Sequence, residues 1–549
     1  MKKLYILLFF INTHLSNGQN FNLKIEGSTK NETKTIDSIN YLKKHKDISS
    51  IISTIKEFDS TLTKFGYFEY FLVKQTKIND STFLFNYNIG EKTSFINIYI
   101  GENKTLLNLK KDTISIPIQE TQSWIQHNLS TLEQKGFSLA KIQLTNQNII
   151  NNHLTSDLII KLNSKRTFDE LIILGYNNFP KNIKTNFNKK LKNKTFNQDL
   201  VSTIYKDLNQ FNFVNQKKYP EILFTKDSTK IFTYLEKSKP NKFDGFIGFS
   251  NDKENNLTFN GYLDLSLQNI LNSAEKFNLY WKNDGNNQTS FFLNTEIPYL
   301  FKTSFGIKAN LKIFKQDSLF QNTQSKLDLG YYFTLNKKIH LGIQNTTSVD
   351  IQNINTNSLS NYKSKFYTLT FEYSKKNKEN FFYPEKTFFS LNTGIGNRKT
   401  NIKKEKQFFI QLEASHIINL NQKNTIFIKN QSFYLDSNQF VINELYRFGG
   451  INSIRGFREN SLQANTFMSV ISEYRYLLSP TIHIHSILDY GYIQDKTSKL
   501  ENQLLGIGIG FEILTKNGLF HLIYSNGSTK NQAIKLSNSI IQISFKTNF

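Results

Sequence analysis

Arg447-Phe-Gly-Gly-Ile-Asn-Ser-Ile-Arg-Gly-Phe-Arg458 is rich in glycine and arginine, yet it lies between segments that alternate apolar and polar residues. A free surface loop has little reason to place Arg455 between Ile454 and the pair Gly456-Phe457. An aliphatic residue, an arginine, a glycine and an aromatic together read as a tight turn that delivers a guanidinium into a confined polar space. Such a space needs walls. The fold therefore turns on whether the flanking segments close around this stretch.

From Phe243 onward the apolar period is two. Phe305, Ile307, Ala309, Leu311 and Ile313 alternate with Gly306, Lys308, Asn310 and Lys312, and Leu327, Leu329, Tyr331 and Phe333 with Lys326, Asp328, Gly330 and Tyr332. Each such segment has one apolar and one polar face. In a membrane barrel the apolar face meets lipid and the polar face lines the lumen. Closure is then obligatory, because an open edge would leave unpaired backbone groups in lipid. Sixteen segments can be counted: 243–250, 256–267, 275–283, 288–297, 303–315, 324–335, 338–349, 363–375, 386–396, 406–418, 423–434, 466–477, 481–492, 503–514, 518–526 and 537–549. The even number suits a bacterial single-chain barrel.

Composition agrees. The 549 residues are 38% hydrophobic and 14% aromatic, with 49 Phe and 26 Tyr against 7 Pro, and the mean hydropathy is -0.44. After the N-terminus no run reaches the roughly 18 apolar residues of a spanning helix. The formal charge of +24 comes from lysines spread along the chain, without a basic stripe, so nucleic acid is not an expected partner. There are no cysteines, which excludes disulfides, thiolate chemistry and a lipidated N-terminal cysteine.

Met1-Lys2-Lys3, the apolar run Leu4 to Ile11 and a polar stretch to Gln19 read as a cleaved secretory signal, residues 1–19. Mixed α and β patterns follow in three passes. In the first, Ile48, Ile51, Ile52, Ile55, Phe58, Leu62 and Phe65 mark a helix stopped by Gly66, with strands at Tyr67 to Lys74 and Ser81 to Ile89. In the second, Trp124, Ile125, Leu129 and Leu132 mark a helix stopped by Gly136, with a strand from Phe137. The third opens at Phe168 and closes at Glu236. The reading is three β-α-α-β-β units at 20–93, 94–165 and 166–241, followed by a barrel at 242–549.

The central stretch also has a candidate partner. On the segment around Asp489-Tyr-Gly491, alternation puts Ile482, Ile484, Leu488, Tyr490 and Tyr492 on one face and His483, His485, Asp489 and Gly491 on the other, the lumen. Arg455 paired with Asp489 would give both buried ions a partner. Gly506, Gly508 and Gly510 share the inner face of the next segment, which leaves room for a loop or for barrel curvature. The last segment alternates Ile541, Ile543, Phe545 and Phe549 with polar residues.

Phe448-Gly449-Gly450 followed by Ile454-Arg455-Gly456-Phe457, between the eleventh and twelfth of sixteen strands, resembles the sixth-loop motif of the BamA/TamA superfamily of outer-membrane-protein assembly factors. Ile487-Leu-Asp489-Tyr-Gly491 is similar to that superfamily's wall motif, with Ile487 where an aromatic is usual. The N-terminal units resemble POTRA domains, and the terminal Phe545 and Phe549 resemble a barrel-insertion signal. Three units favour the TamA subtype. The resemblance implies an outer-membrane barrel with its N-terminal domains in the periplasm. It implies unfolded outer-membrane or secreted client proteins as partners, together with the bilayer and accessory periplasmic or lipoprotein subunits. It also implies that the loop's arginine meets the barrel wall.

Two other readings stand beside it. A two-partner secretion transporter would export a soluble polypeptide through the lumen, but no plug helix is read before Phe21. A barrel hydrolase would need a nucleophile and base. His483 and His485 share a face, yet no third ligand or nucleophile motif follows them, and a polar lumen wall is the simpler account. No Walker loop, G-x-S-x-G or H-E-x-x-H occurs. The expectation is a non-enzymatic factor with no cofactor, metal or catalytic residue.

Overall fold

The computed structural model describes residues 21–548 apart from 252–256, 284–287, 317–318, 335, 353–358, 378–379, 381 and 517. The expected signal segment 1–19 and the terminal Phe549 lie outside the described residues. The chain divides into two compact units. One comprises the residues up to Arg166 with Thr195–Gln198, and the other comprises Thr167–Lys194 with Asp199 onward.

The first unit holds two four-stranded sheets. In one, Phe21–Gly27 runs parallel to Thr82–Asn88, flanked by Lys44–His45 and Phe71–Asn79, with helices Lys30–Ser38 and Ile48–Phe65. Helix Ile48–Phe65 begins where the Asp47 carboxylate accepts from the Ser50 N–H at 2.7 Å, and it ends at Gly66 with φ 94°. Its apolar stripe, Ile51, Phe58 and Leu62, packs on Leu23 and Ile25 of the central strand.

The second sheet, ordered Thr113–Pro117, Phe95–Tyr99, His153–Lys161, Lys141–Ile150, carries one α-helix, Thr121–Gln134. The expected first helix is a 3-10 turn, Gly101–Lys104. Gly101 and Asn108 both take positive φ, so a right-handed helix is confined to the short stretch between them. The strands expected at Tyr67 and Phe137 begin only at Phe71 and Lys141, because Tyr67 and Phe137 turn inward onto their cores.

In the second unit the sheet Val214–Phe224, Thr229–Lys237, Glu170–Leu174 packs with helices Lys181–Leu191 and Gln198–Leu208. It docks on one end of a closed antiparallel barrel. Asn182 Nδ2 donates to the carbonyls of Ser273 at 3.0 Å and Pro298 at 3.2 Å. Lys190 Nζ donates to the carbonyls of Tyr332 at 3.1 Å and Phe333 at 2.9 Å. Burial at this contact lowers the Lys190 pKa from its ordinary value, against the opposing charge of Asp207.

The barrel has sixteen strands, consecutive in space as in sequence. They are Lys242–Asn251, Leu257–Gln268, Lys276–Asn283, Gln288–Ile297, Phe305–Gln316, Phe320–Thr334, Lys337–Asp350, Tyr362–Lys376, Glu385–Thr400, Lys404–Asn419, Asn424–Asp436, Thr466–Ser479, Ile482–Asp495, Leu500–Leu514, Gly518–Thr529 and Ile540–Asn548. All sixteen segments read from the alternation are strands. On the sixth, Leu327, Leu329, Tyr331 and Phe333 are exposed on the outer face, whereas Asp328 and Tyr332 are buried inside. On the seventh, Leu341 and Ile343 point out while Lys338, His340 and Thr346 point in. Among the described residues no helix is long and apolar enough to cross a membrane.

Closure is uneven. Among the described residues the first and sixteenth strands share two register pairs, Lys242 with Asn548 and Phe243 with Thr547. The fifteenth and sixteenth share eight. The thirteenth and fourteenth share fourteen.

Candidate functional site

The segment between the eleventh and twelfth strands folds back into the lumen. Its base is a two-stranded ribbon, Tyr446–Phe448 with Leu462–Ala464. Phe448 stacks on Phe467 of the twelfth strand at 3.9 Å between ring centroids, and Tyr446 on Phe433 of the eleventh at 4.7 Å. Gly449 and Gly450 both take positive φ and turn the chain toward the tip.

At the tip, Ile454, Arg455, Gly456 and Phe457 lie on a bed from which side chains are missing. A Cβ on Gly491 of the thirteenth strand would sit 2.2 Å from Ile454 Cδ1. One on Gly506 of the fourteenth would sit 2.4 Å from the Arg455 carbonyl oxygen. One on Gly527 of the fifteenth would sit 2.5 Å from the Gly456 carbonyl oxygen. Gly456 itself has φ 85°, and its missing Cβ would meet the Gly527 nitrogen at 2.3 Å. Backbone-to-backbone approach on both sides leaves glycine as the residue that fits.

Arg455 is 2% exposed and Asp489 is fully buried. Arg455 donates from Nε to Asp489 Oδ2 at 2.8 Å and from Nη2 to Oδ1 at 2.5 Å, a fork-on-fork pair. The Arg455 backbone N–H adds a third bond to Oδ2 at 2.9 Å. Nη1 donates to Glu473 on the twelfth strand. The other oxygen of Glu473 accepts from Arg475 Nε at 2.7 Å. Two arginines thus face two carboxylates, and the buried charges sum to zero, as a low-dielectric pocket requires.

Glu473 was not singled out from the sequence. The available signal was its place on the inner face of the twelfth strand with Phe467, Ser469 and Ile471.

The loop also reaches the opposite wall. Glu459 accepts from Tyr280 OH at 3.2 Å and pairs with Lys282, both on the third strand. Nearer its base, Glu444 pairs with Arg398 and accepts from Gln407 Nε2 at 2.8 Å. The Asn443 carbonyl accepts from Asn322 Nδ2 at 2.6 Å. The loop therefore spans the lumen. Of the other residues singled out from the sequence, Phe545 points outward from the last strand, 40% exposed. Gly508 and Gly510 lie beyond the loop's footprint. The space over Gly510 is filled by the His485 ring, 2.1 Å from where its Cβ would be.

The sequence matches no protein-family model and no curated protein. Solved structures do match. CdiB from Acinetobacter baumannii is similar at 13% identity and a TM-score of 0.52, over 91% of this chain and 98% of that one. CdiB from Escherichia coli is similar at 11% identity and a TM-score of 0.53, over 91% and 97%. A crystal structure of BamA from Haemophilus ducreyi lacking POTRA domains 1–3 aligns at 14% identity and a TM-score of 0.48, over 82% and 98%. The two CdiB matches establish the fold, N-terminal α/β units followed by a sixteen-stranded barrel. At such identity the chemistry of the lumen has to be argued from this chain's own residues.

Proposed function

We propose that the chain is an outer-membrane factor that receives unfolded polypeptides through its N-terminal units and assists their insertion or passage at the barrel. The observation that carries this reading is the seam. Among the described residues two register pairs hold the first and last strands together, against eight and fourteen at neighbouring joins, so opening this seam costs few of the described backbone hydrogen bonds and exposes strand edges on which a client strand can pair. The outward apolar side chains suit a bilayer, and the resemblance of the loop and wall motifs supports the outer membrane as that bilayer.

In this reading residues 1–19 are a signal. Residues 20–93, 94–165 and 166–241 are POTRA-like units in the periplasm, offering sheet edges to extended clients, and 242–549 is the barrel. Three units favour the TamA-like subtype. Client folding supplies the free energy, which agrees with a sequence free of nucleotide-binding motifs. Arg455, held by Asp489 and Glu473, acts as a latch that sets barrel shape near the seam. Gly449, Gly450, Ile454, Gly456, Phe457 and Gly491 give the latch its turn and its seat. Phe545 and Phe549 serve recognition of this barrel during its own insertion.

The second reading is export of one soluble polypeptide through the lumen. The loop spans from Lys282 to Asp489, so passage would require it to leave both walls, which favours the first reading. Depletion followed by outer-membrane proteomics separates them. Coordinated loss of several barrel proteins is expected. Loss of one secreted protein with barrels unchanged would instead establish the exporter.

A further inference from the structure

Below the latch, at the end of the barrel where the third N-terminal sheet docks, four ionisable side chains converge from three adjacent strands. Glu512 of the fourteenth strand lies in register with His483 of the thirteenth on one side and with His521 of the fifteenth on the other. Register partners share a face, so this row points into the lumen. His485 lies two residues along from His483, opposite Gly510. Because Gly510 has no side chain, the His485 ring lies across it toward His521, with 5.8 Å between ring centroids. A side chain at 510 would keep these rings apart.

We propose that His483, His485 and Glu512 bind a divalent transition-metal ion of the zinc class, with His521 as a fourth ligand. Metal-binding atoms of the first three lie within 4.8 Å of one another, and all three residues are buried. Zinc bonds to nitrogen and carboxylate oxygen of about 2.0–2.1 Å put tetrahedral ligand atoms roughly 3.3 Å apart, so the ligand atoms close by at most about 1.5 Å on binding. The donor set, imidazole with one carboxylate, suits zinc or its neighbours rather than calcium or magnesium.

Three observations point to a ligand rather than a packed polar wall. First, His485 is 3% exposed, yet both ring nitrogens, Nδ1 and Nε2, lack a hydrogen-bond partner among the described residues. A buried imidazole with neither nitrogen satisfied costs free energy that a metal bond recovers. Second, Glu512 is already oriented from outside. Tyr383, from the turn between the eighth and ninth strands, donates its hydroxyl to Glu512 Oε2 at 2.5 Å, as an outer partner of a metal-binding carboxylate does. Third, a cavity of about 360 Å³ bordered by Tyr383, Lys423, Leu477 and His483 lies beside the cluster and reaches it at His483.

The adjacent cation does not oppose binding alone. Arg475 is paired with Glu473 at 2.7 Å and sandwiched between the rings of Tyr383 and Phe427, 3.4 and 4.2 Å from its guanidinium carbon. An ion bound here would tie the thirteenth, fourteenth and fifteenth strands together directly below the bed of the latch.

The test is metal titration of the untagged full chain in detergent micelles after chelator treatment and dialysis. One equivalent of Zn²⁺ should be retained, and Co²⁺ substitution should give the visible absorption bands of a low-symmetry, four- or five-coordinate site. His485→Ala should weaken Zn²⁺ by at least about 100-fold, more than loss of an outer partner costs. Glu512→Gln, which preserves shape, serves the same purpose if the alanine variant does not fold, as read by heat-modifiable migration. Absence of stoichiometric uptake by the parent protein overturns the proposal. So does uptake that is unchanged in whichever of the two variants folds.

Discussion

The Arg455 guanidinium grips the Asp489 carboxylate through two parallel bonds of 2.8 and 2.5 Å, although 34 residues separate them in the chain and both are buried. Asp489 in turn accepts the Arg455 backbone N–H, so the side chain and the loop that carries it are fixed by one carboxylate. Losing the arginine strands the buried Asp489 and leaves Glu473 with Arg475 alone.

Arg455→Ala should therefore destabilise the barrel by about 3–5 kcal/mol, the usual cost of leaving a buried charge without its partner. Arg455→Lys should recover only part of this, because an ammonium cannot reproduce the fork across Asp489 and Glu473. Urea unfolding from detergent, followed by tryptophan fluorescence and heat-modifiable migration, gives the ranking. Equal stability of Arg455→Ala and the parent would remove the latch from the account.

Gly456→Ala should release the loop while leaving the strands paired. The new Cβ meets the Gly527 nitrogen at 2.3 Å and must be carried at φ 85°. Protease cleavage within residues 449–460 should rise by tenfold or more in folded protein, about 1.4 kcal/mol for each factor of ten. Unchanged protection would mean that the bed of Gly491, Gly506 and Gly527 does not set the loop's position.

Leu341→Lys tests which face meets lipid. Leu341 is 64% exposed on the outer face near the middle of the seventh strand. A lysine there should cost about 2–4 kcal/mol in a bilayer. Thr346→Lys, on the lumen side of the same strand, serves for comparison. Refolding into vesicles measures both. Equal tolerance would argue against an apolar outer belt.

The third N-terminal sheet should come loose when Lys190 is replaced by methionine together with Asn182→Ala. Between them these side chains supply four hydrogen bonds to carbonyls at the barrel's rim, each worth about 1 kcal/mol net. Faster trypsin cleavage near residues 237–242 is the expected readout, and an unchanged rate would place the docking energy elsewhere.

The barrel was legible because its signal is local. A strand lined by lumen on one face and lipid on the other writes a period of two into its own residues. Edges blurred where that cause stops. Strand Phe320–Thr334 starts four residues before its segment reads as alternating, since Phe320 is buried beneath Arg447 rather than facing lipid. The second N-terminal unit loses its first helix to positive φ at Gly101 and Asn108, which apolar spacing does not report.

Arg455 and Asp489 could be picked from the sequence because each sits in a short motif among glycines. Glu473, Glu459 and Arg398 sit in no motif. Their partners are chosen by register and by how far the loop crosses the lumen. The convergence of His483, His485, Glu512 and His521 was equally hidden, because it depends on the stagger of three strands and on the missing side chain of Gly510.

The seam offers the most direct test of the proposed function. Phe243 and Thr547 are register partners across it, at a spacing that antiparallel pairing and disulfide geometry both accept. The chain has no native cysteine to interfere. The measurement is the outer-membrane barrel content of cells depleted of the parent protein and supplied with Phe243→Cys/Thr547→Cys. If the first and last strands must part for a client, the oxidised protein should fail to restore barrel levels, and reduction should restore them. Full restoration by the oxidised, cross-linked protein would contradict the account.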